Sequence, residues 1–131
     1  MDRKLPILFV PDILKKTDRF LRINGEKVNN FNLRLKLFRR EFNKHDTVKC
    51  ECCGAEAAYF ALERHNGDSD YHLNLYAIDG NGIDRLLTKD HKYPLSKMGK
   101  NILQNLQVLC SACNQKKANK PFIKFGKKIN D

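Results

Sequence analysis

A chain of 131 residues is the size of one ordinary domain, large enough for a modest core and small enough for a bound metal to matter as a staple. Its 25 Lys and Arg against 15 Asp and Glu give a net charge of +10, which points to polyanionic partners, nucleic acid first among them. No apolar run approaches the roughly 18 residues that a membrane-spanning helix needs, and residues 5 to 10, interrupted by Pro6, are too short for a signal peptide. A reducing, cytoplasmic setting is therefore expected, and the five cysteines are expected as thiols or metal ligands and not as disulfides.

In chain order, residues 1 to 30 carry mixed signals: Pro6 and Pro11 limit regular structure, Asn24-Gly25 marks a turn, and the stretch reads as a partly ordered arm. From 31 to 44, Phe31, Leu35, Phe38 and Phe42 fall on one helical face, with Asn30 as the N-cap and Arg34, Lys36, Arg39 and Arg40 left to solvent or phosphate. Tyr59 to Leu62 and His72 to Ile78, separated by the polar residues 66 to 70, predict a β-hairpin. Further strands are predicted over 84 to 88, leading into Asp90-His91, and over 106 to 109, leading into a cysteine pair. A short helix follows from 111 to 120, and then a frayed basic tail. The expected organisation is an arm and basic helix over 1–47, a metal-stapled core over 48–120 and a tail over 121–131.

The cysteines are the strongest single signal. Cys50 and Cys53 form one C-x2-C pair and Cys110 and Cys113 another, and two such pairs supply the four thiolates of a closed, tetrahedral structural Zn2+ site. Cys52 is the spare thiol, and Gly54 suits the tight turn after the first pair. A closed site of four thiolates has no open position for substrate, so any catalysis needs a second metal.

The run Thr88-Lys89-Asp90-His91-Lys92-Tyr93-Pro94-Leu95-Ser96-Lys97, followed by Asn105-Leu106-Gln107 and by Cys110-Ser111-Ala112-Cys113-Asn114-Gln115-Lys116-Lys117, resembles the HNH endonucleases, in particular the small phage-type members. The resemblance implies an α+β fold: a ββα-metal (His-Me finger) core with a four-cysteine zinc site, an added β-hairpin and an N-terminal helix. It also implies roles. His91 takes the first family position as general base. Asn105 takes the middle position and steadies the loop after His91. Asn114 takes the third, as in HNN variants, and holds the catalytic ion with Asp90. Met98 and Ala118 stand where the family commonly has Gly.

The chemistry suits those residues. An imidazole with an ordinary pKa of about 6.5 is well matched to activating water near neutral pH. A carboxylate and an amide oxygen favour a hard ion, Mg2+ or Mn2+, which would stabilise charge on the phosphoryl oxygens and the leaving group. Lys116, Lys117 and Lys120 follow the second cysteine pair without an acidic neighbour and are expected to contact the phosphates of double-stranded DNA. The competing readings are a non-catalytic zinc-dependent DNA-binding module and a phage packaging or regulatory factor. The presence of Asp90, His91, Asn105 and Asn114 together sets the enzyme reading apart from the first.

Overall fold

The computed structural model describes residues 1–68 and 70–118, with the backbone of 123–124 and 127–128. Strand β1 (Asp2–Leu8) leads into the single-turn helix α1 (Val10–Leu14), and β2 (Phe20–Ile23) and β3 (Glu26–Asn29) form a hairpin. Helix α2 (Leu33–His45) follows, and then β4 (Glu56–Arg64), β5 (His72–Ile78), β6 (Asp84–His91) and β7 (Leu106–Cys110). Helix α3 (Ser111–Lys117) continues directly from β7, and the two-residue strands β8 (Ile123–Lys124) and β9 (Lys127–Lys128) pair with each other. The fold is mixed α and β, as expected.

Five strands make one antiparallel sheet in the order β1-β4-β5-β6-β7. Alternation shows in β5, where Leu73, Leu75 and Ala77 are buried one residue in two, whereas the interior strand β4 is covered on both faces and buries Tyr59 to Glu63 in succession. Helix α2 packs Leu35 and Phe38 into the same core, with the Phe38 and Phe60 rings 6.4 Å apart. The predicted hairpin over 59–78 is present as β4 and β5, paired through Phe60–Leu75 and Leu62–Leu73.

The first thirty residues depart from the expected loose arm. β1 is the edge strand of the main sheet, fastened by Arg3 to the buried Glu63 at 2.7 Å. The Asn24-Gly25 turn is where it was expected, with both residues at positive φ (49° and 81°), the backbone that a two-residue hairpin demands. The cap of α2 also moves. Asn32 accepts from the Leu35 amide at 2.9 Å, whereas Asn30 is fully buried and ties Lys16, Asp18 and Arg39 together. Phe31 is thereby displaced from the helix and its core face.

Of Arg34, Lys36, Arg39 and Arg40 on α2, the three arginines do structural work and are not free for phosphate. Arg34 donates to Asn74 and to the Leu73 carbonyl, Arg39 to the Leu14 carbonyl, and Arg40 to the carbonyls of Leu103 and Leu106. Burial lowers the pKa of Arg34 and of Arg39, the cost of placing a cation where carbonyls need donors.

Candidate active site and metal centre

The two cysteine pairs converge. Cys50 and Cys53 lie on a turn between Val48 and β4, closed by Gly54 N–H to the Cys50 carbonyl (2.9 Å) and by Cys50 N–H to the Ala55 carbonyl (3.0 Å). Gly54 takes φ +78°, which an L side chain would resist. Cys110 ends β7 and Cys113 sits in the first turn of α3. The four sulfurs lie within 4.8 Å of one another, and those of Cys53 and Cys110 are 3.9 Å apart. A tetrahedral ion with metal–sulfur bonds of about 2.3 Å would set its sulfurs roughly 3.8 Å apart, so the four residues are positioned to bind one metal ion.

The protonation of the cluster agrees with that use. Burial pushes the Cys50 thiol up, but the N–H groups of Cys110, Cys53 and Cys52 that face its sulfur outweigh it and hold the thiol below its ordinary value. Burial and the neighbouring thiols push Cys53 and Cys113 up. Four sulfurs this close resist ionising together unless a cation accompanies them.

On the other side of α3 stands a second constellation. Thr88 and Asp90 are two apart on β6 and share a face, and Asn114 and Lys117 are three apart on α3 and share one too. The two faces meet: the Asn114 amide donates to Thr88 Oγ1 at 2.9 Å, and Lys117 Nζ lies 3.1 Å from Asp90 Oδ2. Asp90 is 8% exposed and Lys117 only 1%. Gln107, opposite Asp90 in the β6–β7 register, donates to the same carboxylate at 3.1 Å, and Lys117 also donates to the His91 carbonyl at 3.0 Å. Thr88 Oγ1 in turn donates to the Leu109 carbonyl, which fixes its lone pairs toward Asn114. With Nδ2 of Asn114 spent on Thr88, its Oδ1 is the atom left to meet a cation. A carboxylate and an amide oxygen on adjoining faces form a donor set that fits a hard divalent ion.

His91 is the last residue of β6, still paired with Leu106 in the β6–β7 register, and the loop begins after it. Its Nε2 is 2.9 Å from Asn101 Oδ1, across the loop that returns to β7. Asn105 holds that loop at both ends: its Oδ1 accepts from Tyr93 N–H (3.0 Å), and its Nδ2 donates to the carbonyls of Tyr93 (3.1 Å) and Lys100 (2.8 Å). Its own carbonyl accepts from Lys92 N–H at 2.7 Å.

Of the residues predicted for this site, Asp90 and Asn114 lie on the facing sides of β6 and α3 but bond to different partners, Asp90 to Lys117 and Gln107 and Asn114 to Thr88, while His91 ends β6 and Asn105 ties the adjoining loop. Lys116 is exposed at the end of α3, but Lys117 is buried against Asp90 and is not a surface contact for DNA. Lys120 lies outside the described residues. Four further residues carry the arrangement without having been singled out: Thr88, Gln107, Asn101 and Gly99. Thr88 was findable by its two-residue spacing from Asp90, and Gln107 by the register; Asn101 depends on a loop conformation that no periodicity encodes.

Residues 78–120 match the family model of the HNH endonucleases, covering β6, β7, α3 and the loop between the strands. Neither a curated protein nor a solved structure matches the chain. The resemblance read from the sequence is upheld over residues 78–120, which match the HNH endonuclease domain, and four cysteines are placed for a metal ion. The domain implies a nucleic acid substrate and a divalent metal.

Proposed function

We propose that this HNH segment makes the chain a metal-dependent DNA endonuclease, with His91 as general base and one Mg2+ or Mn2+ held by Asp90 and Asn114. The ββα-metal core is then β6, the loop, β7 and α3, and the four cysteines hold a structural Zn2+. The observation that carries the reading is the contact of β6 with α3. It sets a carboxylate and an amide oxygen on facing surfaces one residue from an imidazole at the end of its strand.

In this reading the Nε2–H of His91 donates to Asn101 Oδ1, which leaves Nδ1 as the lone pair that removes a proton from water. Asn105 keeps the loop, and so Asn101, in place. The ion, when bound, supplies charge stabilisation at the phosphoryl oxygens and the departing oxygen. Lys117 and Gln107 orient Asp90, and Lys116 meets the phosphate backbone of a duplex.

A second reading, a zinc-dependent DNA-binding module without catalysis, draws on the ion pair of Lys117 with Asp90, which already neutralises the carboxylate. Plasmid cleavage with Mg2+ separates the two. Wild type is expected to nick or linearise the plasmid, and His91→Ala to bind it equally well while cutting at least a hundredfold more slowly, the scale on which general bases act. Equal cutting by both proteins would refute the assignment of His91, and no cutting by wild type with Mg2+ or Mn2+ would favour the binding module.

A further inference from the structure

The β2–β3 hairpin lies outside the matched segment, yet its outward face is built from groups that do little for the fold. Phe20 is 46% exposed and Phe31, just beyond β3, is 39% exposed. Each ring carries cations. Lys27 Nζ sits 4.4 Å from the Phe20 centroid, while Arg19 and Lys36 sit 5.1 and 4.8 Å from that of Phe31. The two rings are linked through Asn29, which pairs with Phe20 across the hairpin and whose Oδ1 accepts from Phe31 N–H at 2.7 Å. A cleft of about 360 Å3 opens beside Phe20, with Lys27, Asn29, Asn32, Asp70 and Tyr71 among its walls.

One exposed phenylalanine is ordinary; two, each flanked by cations and one of them on the wall of an open cleft, ask for a ligand. Charge identifies it. Lys15, Lys16, Arg19, Arg22, Lys27 and Lys36 are exposed here, against Asp12, Asp18, Asp70 and a Glu26 already paired with Lys4 at 2.9 Å. A protein partner is disfavoured because lysine is depleted at the centre of protein interfaces, and here it occupies the centre.

We propose that this face binds an unpaired stretch of DNA, with Phe20 and Phe31 as stacking platforms for bases and Arg19, Arg22, Lys27 and Lys36 meeting the phosphates. Ring faces are of use only to unstacked bases, so a perfect duplex gains little from them. Exposed cation–π contacts are weaker than base–aromatic stacking, so an arriving base displaces the cation toward its own phosphate. The choice of DNA rests on the endonuclease reading; the choice of a single strand rests on the aromatic face alone.

The chain has no tryptophan, so Phe20→Trp and Phe31→Trp each place a unique fluorophore on this face. Both are made in the His91→Ala background so that nothing is cut, and titrated with a thymidine oligomer of about 15 nucleotides, a blunt duplex and a uridine oligomer. The thymidine oligomer is expected to quench both reporters and the duplex neither. The double variant Phe20→Ala/Phe31→Ala is expected to lose about tenfold or more in affinity for the thymidine oligomer, and less than about twofold for the duplex. Absence of quenching, equal loss for duplex and single strand, or tighter binding of the uridine oligomer would overturn the proposal. Because binding is read without cleavage, a chain that never cuts leaves this result intact, and loss of this binding leaves the plasmid assay unaffected.

Discussion

Met98 and Ala118 show how much a single position in the sequence can say. Both stand where the family commonly has glycine, and both have positive φ, +68° and +49°. A side chain in the left-handed region costs on the order of 1 kcal/mol, so Met98→Gly, at a residue 93% exposed with no packing to lose, should raise stability by about that amount in urea denaturation. Gly99 is the opposite case. A Cβ there would stand 1.8 Å from the Tyr93 carbonyl oxygen and 2.8 Å from that of Pro94, both backbone atoms that cannot swing aside. Gly99→Ala should therefore rearrange the loop that carries Asn101 and Asn105, with plasmid cleavage falling by about tenfold or more while the thermal transition of the sheet persists. An unchanged cleavage rate would show that the loop has slack. The four clustered cysteines were legible because their spacing is chemical. Lys117 was misread because a lysine in a basic run looks solvated until a buried carboxylate is seen beside it.

Among the elements, strands were easier to foresee than caps. The alternation of β5 and the turn residues around it fix a strand whatever lies next to it, whereas the start of α2 depended on which of two asparagines found an amide. Asn32 reached Leu35, and Asn30 was drawn inward by Arg39 and two carbonyls. The pairing of β1 with β4 was invisible because its key contact spans sixty residues, from Arg3 to Glu63. Glu63 is 3% exposed, and burial alone would push its carboxyl up. The Tyr76 hydroxyl, the Asn74 amide and Arg3 overcome that and hold it below the ordinary value of 4.5. A lowered pKa stabilises the fold above the unfolded value and ceases to do so as pH falls through the folded one. Glu63→Gln should thus be clearly less stable than wild type at about pH 7, with the gap closing toward about pH 3, measured by urea denaturation across that range. A gap that does not change with pH would mean that packing, not charge, is what Glu63 contributes. Tyr76, pushed up to about 12 by burial and by Glu63, should titrate late in ultraviolet difference spectra, with its share of stability lost between pH 10 and 12.

Taken whole, the molecule has a core assembled from both ends of the chain and a four-sulfur cluster at one seam. A structural zinc site contributes about 10 kcal/mol or more, comparable to the whole net stability of an ordinary domain. Chelation of the metal, or Cys50→Ser, is accordingly expected to abolish the cooperative thermal transition along with one equivalent of bound zinc. A metal-free variant that still unfolds cooperatively would remove the structural role. The expectation of a metal staple came from size and cysteine spacing together; what size could not supply was the second use of the α3 segment, whose opposite side carries Asn114 and Lys117 against β6.

That seam has a consequence for the birth of the protein. Cys53 and Cys110 are 57 positions apart, so on the ribosome the first pair emerges well before its partners exist. The hairpin of β4 and β5 can pair in the interval, but an ion has only half its ligands until β7 and α3 leave the tunnel. Capture of an ion by the four sulfurs is then a late step of biosynthesis, and a chain deprived of it would be left with a finished hairpin and two cysteine turns not yet joined.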